Sequence, residues 1–165
     1  AHRNWCPPYG GGTHSALPLH DRGLLVVADE AVMNIDQEGQ HKRTWVFDIR
    51  DRSNPVSIAT LPIPAEQDYV KLGGQFGPHN LHENRPGPAF RSDTLIFGTY
   101  FNGGVRVHDI SDPFQPKEVA YLVPDAPKGS PAGAIQFNDV YVDENEIVYA
   151  VDRLVGGLYV IETTL

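Results

Sequence analysis

Residues 105–120, Val-Arg-Val-His-Asp-Ile-Ser-Asp-Pro-Phe-Gln-Pro-Lys-Glu-Val-Ala, decide the fold because they match residues 44–59, Thr-Trp-Val-Phe-Asp-Ile-Arg-Asp-Arg-Ser-Asn-Pro-Val-Ser-Ile-Ala, without a gap. A third and shorter copy, Gly-Leu-Tyr-Val-Ile-Glu, occupies residues 157–162. Self-similarity of this kind indicates a repeated supersecondary unit. Each motif must therefore be compared with its counterparts in the other copies.

Each copy follows a run of aliphatic, β-branched and aromatic residues, at 24–30, 95–100 and 148–153. Such runs, separated by turn-forming residues and without helical periodicity, predict short antiparallel strands. Glycine pairs at 103–104 and 156–157 predict tight turns between the second and third strand of a unit, because such turns need positive φ. We therefore expect up to four strands in each unit.

Four-stranded antiparallel units in tandem are typical of β-propeller blades, and a propeller closes with roughly 4 to 8 of them. We therefore predict an all-β chain that forms part of one larger propeller domain. The predicted ranges are a tail at 1–12, blades at 13–66 and 67–127, and at 128–165 a partial blade without its outer strand. The missing blades would come from a companion chain or from the rest of a precursor, so we expect a cleaved or truncated C-terminal piece.

Charge and composition exclude several classes of function. The 165 residues include 13 Lys and Arg against 21 Asp and Glu, a net charge of −8, which disfavours binding to nucleic acids. No apolar run approaches the roughly 18 residues of a membrane-spanning helix, and we expect a soluble chain. The single cysteine, Cys6, allows no internal disulfide. The glycines at 10–12 precede neither a helix nor a phosphate-binding lysine, so no nucleotide cofactor is expected.

Val107 to Pro116, Val-His-Asp-Ile-Ser-Asp-Pro-Phe-Gln-Pro, resembles the repeat of the LVIVD propeller family, in which Val-Asp-Ile or a similar triplet precedes Ser-Asp-Pro. The resemblance covers most of residues 13–165 and implies a propeller with a central channel, but no single activity. More distantly, the chain is similar to selenium-binding-protein propellers, some of which resemble copper-dependent thiol oxidases. Function must therefore be argued from the site itself.

Polar residues gather where the first strand of each unit begins and the second ends, which is one end of an antiparallel sheet. We predict that this end forms the channel mouth. The first strands contribute His14, His79 and Asn138, and the second strands contribute Asp29, Glu30, Thr99, Tyr100, Asp152 and Arg153.

Two histidines at equivalent positions predict a metal site, since neutral imidazole binds zinc, copper, iron and nickel. Asp29 or Glu30 could supply a third ligand or orient a histidine. The alternative is that His14 and His79 only bond to neighbouring blades or to water. His82 should face away from His79, because residues three apart on a strand point to opposite sides.

Two classes of function follow from these residues. In the first, the metal site serves a metal-dependent oxidoreductase or hydrolase that acts on a small molecule. Tyr100 and Arg153 are then the catalytic candidates, and Asn138 and Asp152 would join them in binding substrate. In the second, a non-catalytic propeller presents loops 31–43 and 83–93 to a protein partner and the histidines are structural.

Overall fold

A computed structural model describes residues 2–5, 12–30, 42–64, 69 and 71–165. The described part is all-β with almost no helix, as the sequence predicts, and its ten strands form three antiparallel sheets. Most of the predicted tail at 1–12 and of the loop at 31–43 lies outside the described residues. The strands are β1 Thr13–Leu19, β2 Leu24–Asp29, β3 Thr44–Asp48, β4 Val56–Thr60, β5 Leu95–Thr99, β6 Val105–Asp109, β7 Lys117–Leu122, β8 Phe137–Val142, β9 Val148–Asp152 and β10 Gly157–Ile161.

Strands that are consecutive in the chain pair with one another in every sheet. The first sheet has the order β1-β2-β3-β4, the second β5-β6-β7 and the third β8-β9-β10. The repeated sequence thus forms β3 and β6, and its Asp-to-Pro corners lead into β4 and β7. Asp51 and Asp112 accept backbone N–H groups at those corners, from Ser53 and Phe114 respectively. The corners of the repeat therefore have a structural role.

The predicted first strand of the second unit is not a regular strand. This segment meets its neighbours through two isolated bridges, Phe76 with Phe101 and Leu81 with Gly98, and through single backbone hydrogen bonds such as that from His79 N–H to Thr99 O. Pro78 lies between the two bridges and has no N–H to donate to a ladder, which explains the interruption. The third sheet has three strands, and no fourth strand follows β10 among the described residues.

The sheets pack face to face through alternating apolar residues. The first cluster joins Leu17, Val26 and Val46 of the first sheet to Ile96 of the second. A second cluster joins β6 of the second sheet to β8 and β9 of the third, with Val107 and Ala150 both buried. Each fully buried aliphatic side chain contributes roughly 1.5–3 kcal/mol relative to exposure, so these clusters fix how neighbouring sheets meet. No helix in the described ranges is long and apolar enough to cross a membrane.

Equivalent irregularities occur where β1 and β8 begin. The register of β1 against β2 shifts between Thr13 and Ser15, and that of β8 against β9 shifts between Phe137 and Asp139. The intervening residues, His14 and Asn138, are therefore the extra residues of β-bulges, which turn side chains out of the normal alternation.

Candidate metal centre

Three side chains from two sheets meet at the end of the molecule where β1 begins and β2 ends. The bulge in β1 presents His14, and Glu30 follows β2, where its N–H donates to Gly12 O at 2.8 Å. His79 belongs to the bridge segment of the second sheet, and its N–H donates to Thr99 O at 2.9 Å. Backbone hydrogen bonds therefore hold the histidine of the second sheet beside the two residues of the first.

The donor atoms of these residues lie within 4.8 Å of one another, and we call the group the His-Glu-His cluster. His79 Nε2 is 3.4 Å from Glu30 Oε1, and His14 Nε2 is 3.7 Å from Glu30 Oε2. The two imidazole rings stack with centroids 4.3 Å apart. Ligands that are ~2.1 Å from one ion in a tetrahedral site lie roughly 3.4 Å apart, so the cluster is close to the size that a transition metal requires.

The hydrogen bonds of His79 determine which of its nitrogens carries a proton. Nδ1 lies 2.6 Å from the backbone oxygen of Asn138, which can only accept, so Nδ1–H is the donor. In the neutral ring Nε2 then has a lone pair, and this lone pair faces the Glu30 carboxylate. Metal-ligating histidines are commonly oriented in this way, with the second nitrogen donating to a backbone carbonyl.

His14 is oriented through Ser15. The Ser15 hydroxyl donates to His79 O at 3.1 Å, and His14 Nδ1 lies 3.0 Å from the same hydroxyl oxygen. Because the hydroxyl has one proton, this arrangement is satisfied when His14 Nδ1–H donates to Ser15. The Nε2 lone pair of His14 is then also directed toward Glu30. Three electron-pair donors therefore converge with no proton donor of the cluster between them.

The environment of His79 disfavours its protonated form. Burial lowers the pKa of His79, and the nearby positive charge of Arg153 lowers it further. The Asn138 hydrogen bond and the Glu30 carboxylate oppose this shift without reversing it. A neutral His79 beside a carboxylate leaves a lone pair that a metal cation would satisfy.

Strand register identifies a second set of equivalent residues. Leu24 pairs with Asp48, and Leu95 pairs with the repeat counterpart Asp109. Glu30 lies six residues after Leu24, and Phe101 lies six residues after Leu95. Phe101, and not Tyr100, is therefore the structural equivalent of Glu30. Pairing of Thr13 with Asp29 and of Phe137 with Asp152 likewise aligns Arg153 with Glu30. The three units thus place a carboxylate, a phenyl ring and a guanidinium at one structural position.

The Phe101 ring packs against both the His79 ring and the Arg153 guanidinium. Its ring centroid is 4.8 Å from that of His79 and 5.5 Å from the guanidinium carbon of Arg153. The side chain is fully buried, and its φ of 48° lies in the left-handed region, where a bulky residue is strained. Only the strand register connects Phe101 to the position of Glu30.

The structure does not bring Tyr100 or Asp29 to the cluster. Tyr100 is buried with its ring 6.1 Å from that of His108, and burial raises its pKa to about 12. The same strand register aligns Tyr100 with Asp29, one residue before the position that Glu30 and Phe101 share. Asp29 is fully buried and accepts a hydrogen bond from Trp45 Nε1 at 2.9 Å. Both side chains turn away because successive residues of a strand face opposite sides.

Asp152 is occupied by backbone groups rather than directed toward a substrate. One oxygen accepts the N–H of Gln136 at 2.7 Å, and the other accepts the N–H groups of residues 154–156. Asn138 reaches the site through its backbone, since its carbonyl accepts from both His79 Nδ1 and Thr99 Oγ1. Each residue thus stabilises the walls of the site.

His20, His82 and His108 lie away from the cluster. His82 bonds across to the third sheet, where its Nδ1 accepts the N–H of Val142 at 3.1 Å, as expected for a residue that faces away from His79. His108 is buried against Pro62 O, and His20 is exposed in the turn after β1. The cluster is therefore a local arrangement and not a general enrichment of histidine.

No protein-family model matches this chain, and no curated protein matches it. Function is therefore argued from the residues of the site.

Proposed function

We propose that the chain is a metal-binding set of β-propeller blades, and that the His-Glu-His cluster holds a divalent transition-metal ion at the mouth of the propeller channel. We further propose that this site acts on a small-molecule substrate, as a metal-dependent hydrolase or oxidoreductase. The proposal extends the LVIVD resemblance, whose family has no single activity.

The propeller assignment is supported by how the sheets are connected and packed. Each sheet is a meander of consecutive antiparallel strands, and each packs face to face on the next, as propeller blades do. The outer face of the third sheet exposes Tyr141, Val151, Leu158 and Val160. These side chains share one face through the register of β8, β9 and β10. An apolar face of this kind suits a further blade, from a companion chain or a longer precursor.

The observation that carries the metal assignment is the convergence of His14 Nε2 and His79 Nε2 on one carboxylate, that of Glu30. His79 Nδ1 is committed as a donor to Asn138 O, so the neutral ring offers its Nε2 only as an acceptor. Two acceptors and an anion placed together repel one another in the absence of a cation. A bound metal would relieve this repulsion and would fix the tautomers already set by the surrounding hydrogen bonds.

The composition of the cluster indicates its chemistry. Two histidines and one carboxylate are the ligand set of many catalytic zinc and non-haem iron sites, in which coordination positions stay open for water or substrate. His14 has 35% of its side chain exposed and Glu30 has 22%, so the open side of the cluster faces solvent. In this setting a metal can polarise a substrate oxygen or lower the pKa of water.

The test is a metal titration of the full chain, with Zn²⁺ and Co²⁺ followed by calorimetry and by elemental analysis after gel filtration. We expect one ion per chain in the wild type. Glu30→Gln keeps the size of the ligand but removes its charge, so it should weaken affinity roughly tenfold or more, and His14→Ala with His79→Ala should abolish stoichiometric binding. His20→Ala, in the exposed turn, is the matched control and should bind normally.

Unchanged binding in the double variant would refute the cluster as the metal site. Absence of binding by a folded wild-type chain in its complete assembly would leave the histidines with a structural role and would favour the protein-interaction scaffold.

A further inference from the structure

Arg153 lies beside the His-Glu-His cluster but contributes no ligand to it. It occupies the position in the third sheet that Glu30 occupies in the first. Its guanidinium packs on the Phe101 ring, on which His79 also packs, and the side chain is exposed. The backbone N–H of Arg153 donates to Gln136 O at 3.0 Å, as that of Glu30 donates to Gly12 O. These equivalent hydrogen bonds hold the Arg153 backbone in place.

The guanidinium is held in place without being neutralised by any described carboxylate. Its Nη1 donates to the Gln75 side-chain oxygen, which orients the group, while Phe101 supports its face. Both carboxylate oxygens of the neighbouring Asp152 accept backbone N–H groups, and Asp152 forms no ion pair with Arg153. A guanidinium has five N–H donors, so several stay available on the exposed side.

We propose that Arg153 is a substrate-binding residue that selects a small carboxylate anion, whose carboxylate lies between the guanidinium and the open side of the metal. This inference rests on the proposed metal site. A divalent ion and Arg153 together outweigh the single negative charge of Glu30, because His14 and His79 bind metal as neutral rings. The planar fork of arginine matches the two oxygens of a carboxylate, and the exposed rim admits a ligand from solvent.

The experiment follows the visible absorption of the full chain loaded with Co²⁺ as acetate is added, with acetamide as the neutral counterpart of the same shape. Sulfate is the third probe, because it carries charge without the carboxylate fork. We expect acetate to change the cobalt spectrum saturably and acetamide to have no effect at the same concentrations. Arg153→Gln should raise the apparent Kd for acetate roughly tenfold or more, and Arg153→Lys should give an intermediate value.

Cobalt affinity separates this inference from the metal proposal. Arg153→Gln should retain cobalt binding, or bind it more tightly, because a positive charge beside the ion is lost. Equal acetate affinities in the wild type and Arg153→Gln would overturn the inference while leaving the metal site intact. Equal responses to acetate and acetamide would overturn it as well, and tighter binding of sulfate would overturn the choice of a carboxylate. A wild-type chain that takes up no cobalt would instead refute the metal proposal itself.

Discussion

Asp152 gives the sharpest test of whether the polar residues predicted at the channel mouth bind substrate or support the fold. Its carboxylate accepts four backbone N–H groups, at distances between 2.7 and 3.0 Å, and is 6% exposed. Asp152→Ala removes all four acceptors. The donor on Gln136 is buried and would lose its partner at a cost of about 1–3 kcal/mol, while the three turn donors can reach water and would lose roughly 0.5–1 kcal/mol each.

The expected loss in free energy of unfolding is therefore about 2.5–6 kcal/mol, a large part of a typical domain's stability. Equilibrium unfolding in urea measures it, and with an m-value of about 2 kcal/mol/M the midpoint should fall by roughly 1–3 M. Asp112→Ala is the matched control, because Asp112 is exposed and accepts a backbone N–H at an equivalent kind of corner, so its loss should be below about 1 kcal/mol. Equal midpoints for Asp152→Ala and the wild type would refute the structural role.

Three further outcomes are expected. Burial lowers the pKa of His108 to about 4, so the unfolded chain binds a proton at a higher pH than the folded chain does. Up to about 3 kcal/mol of stability should therefore be lost as pH falls from about 6.5 to 4. Urea midpoints across that range should show a smaller loss in His108→Gln. Tyr100→Phe should leave Co²⁺ affinity unchanged in calorimetry, and a tenfold change would contradict the separation of Tyr100 from the cluster. Gly104→Ala places a Cβ 2.1 Å from Leu122 O at a φ of 83°, and should lower stability by more than about 3 kcal/mol; Gly129→Ala, with similar φ and open space, should cost only about 1 kcal/mol in the same thermal melts.

The strands and turns could be predicted from the sequence because they depend on local chemistry. Alternating apolar residues and glycine turns specify β2, β3, β5 and β6 with little help from the rest of the fold. The interrupted strand before β5 was harder to predict, since Pro78 follows Gly77 in a segment whose partners are distant in sequence. Long-range pairing and backbone irregularity decide such a segment, and neither is visible in local composition.

The candidate site was predictable where equivalent positions carry the same residue type, as with His14 and His79. It was not predictable where strand length decides which residue faces the site. In the second unit either Tyr100 or Phe101 could occupy the position equivalent to Glu30, and the pairing of Leu95 with Asp109 selects Phe101. A shift of one residue exchanges the two faces of a strand, so the role of Tyr100 could be resolved only from the register.

Because the cluster is distributed over separate sheets, occupancy of the proposed metal site would be coupled to the cohesion of those sheets. His14 and Glu30 extend from the first sheet, His79 from the second, and the carbonyl of Asn138 that orients His79 from the third. An ion that binds only this arrangement acts as a cross-link whose strength depends on its free concentration. By thermodynamic linkage, saturation at a hundred times Kd would add about 2.7 kcal/mol to stability. The availability of metal in the surroundings would then regulate how long the sheets stay together, in addition to any chemistry performed at their rim.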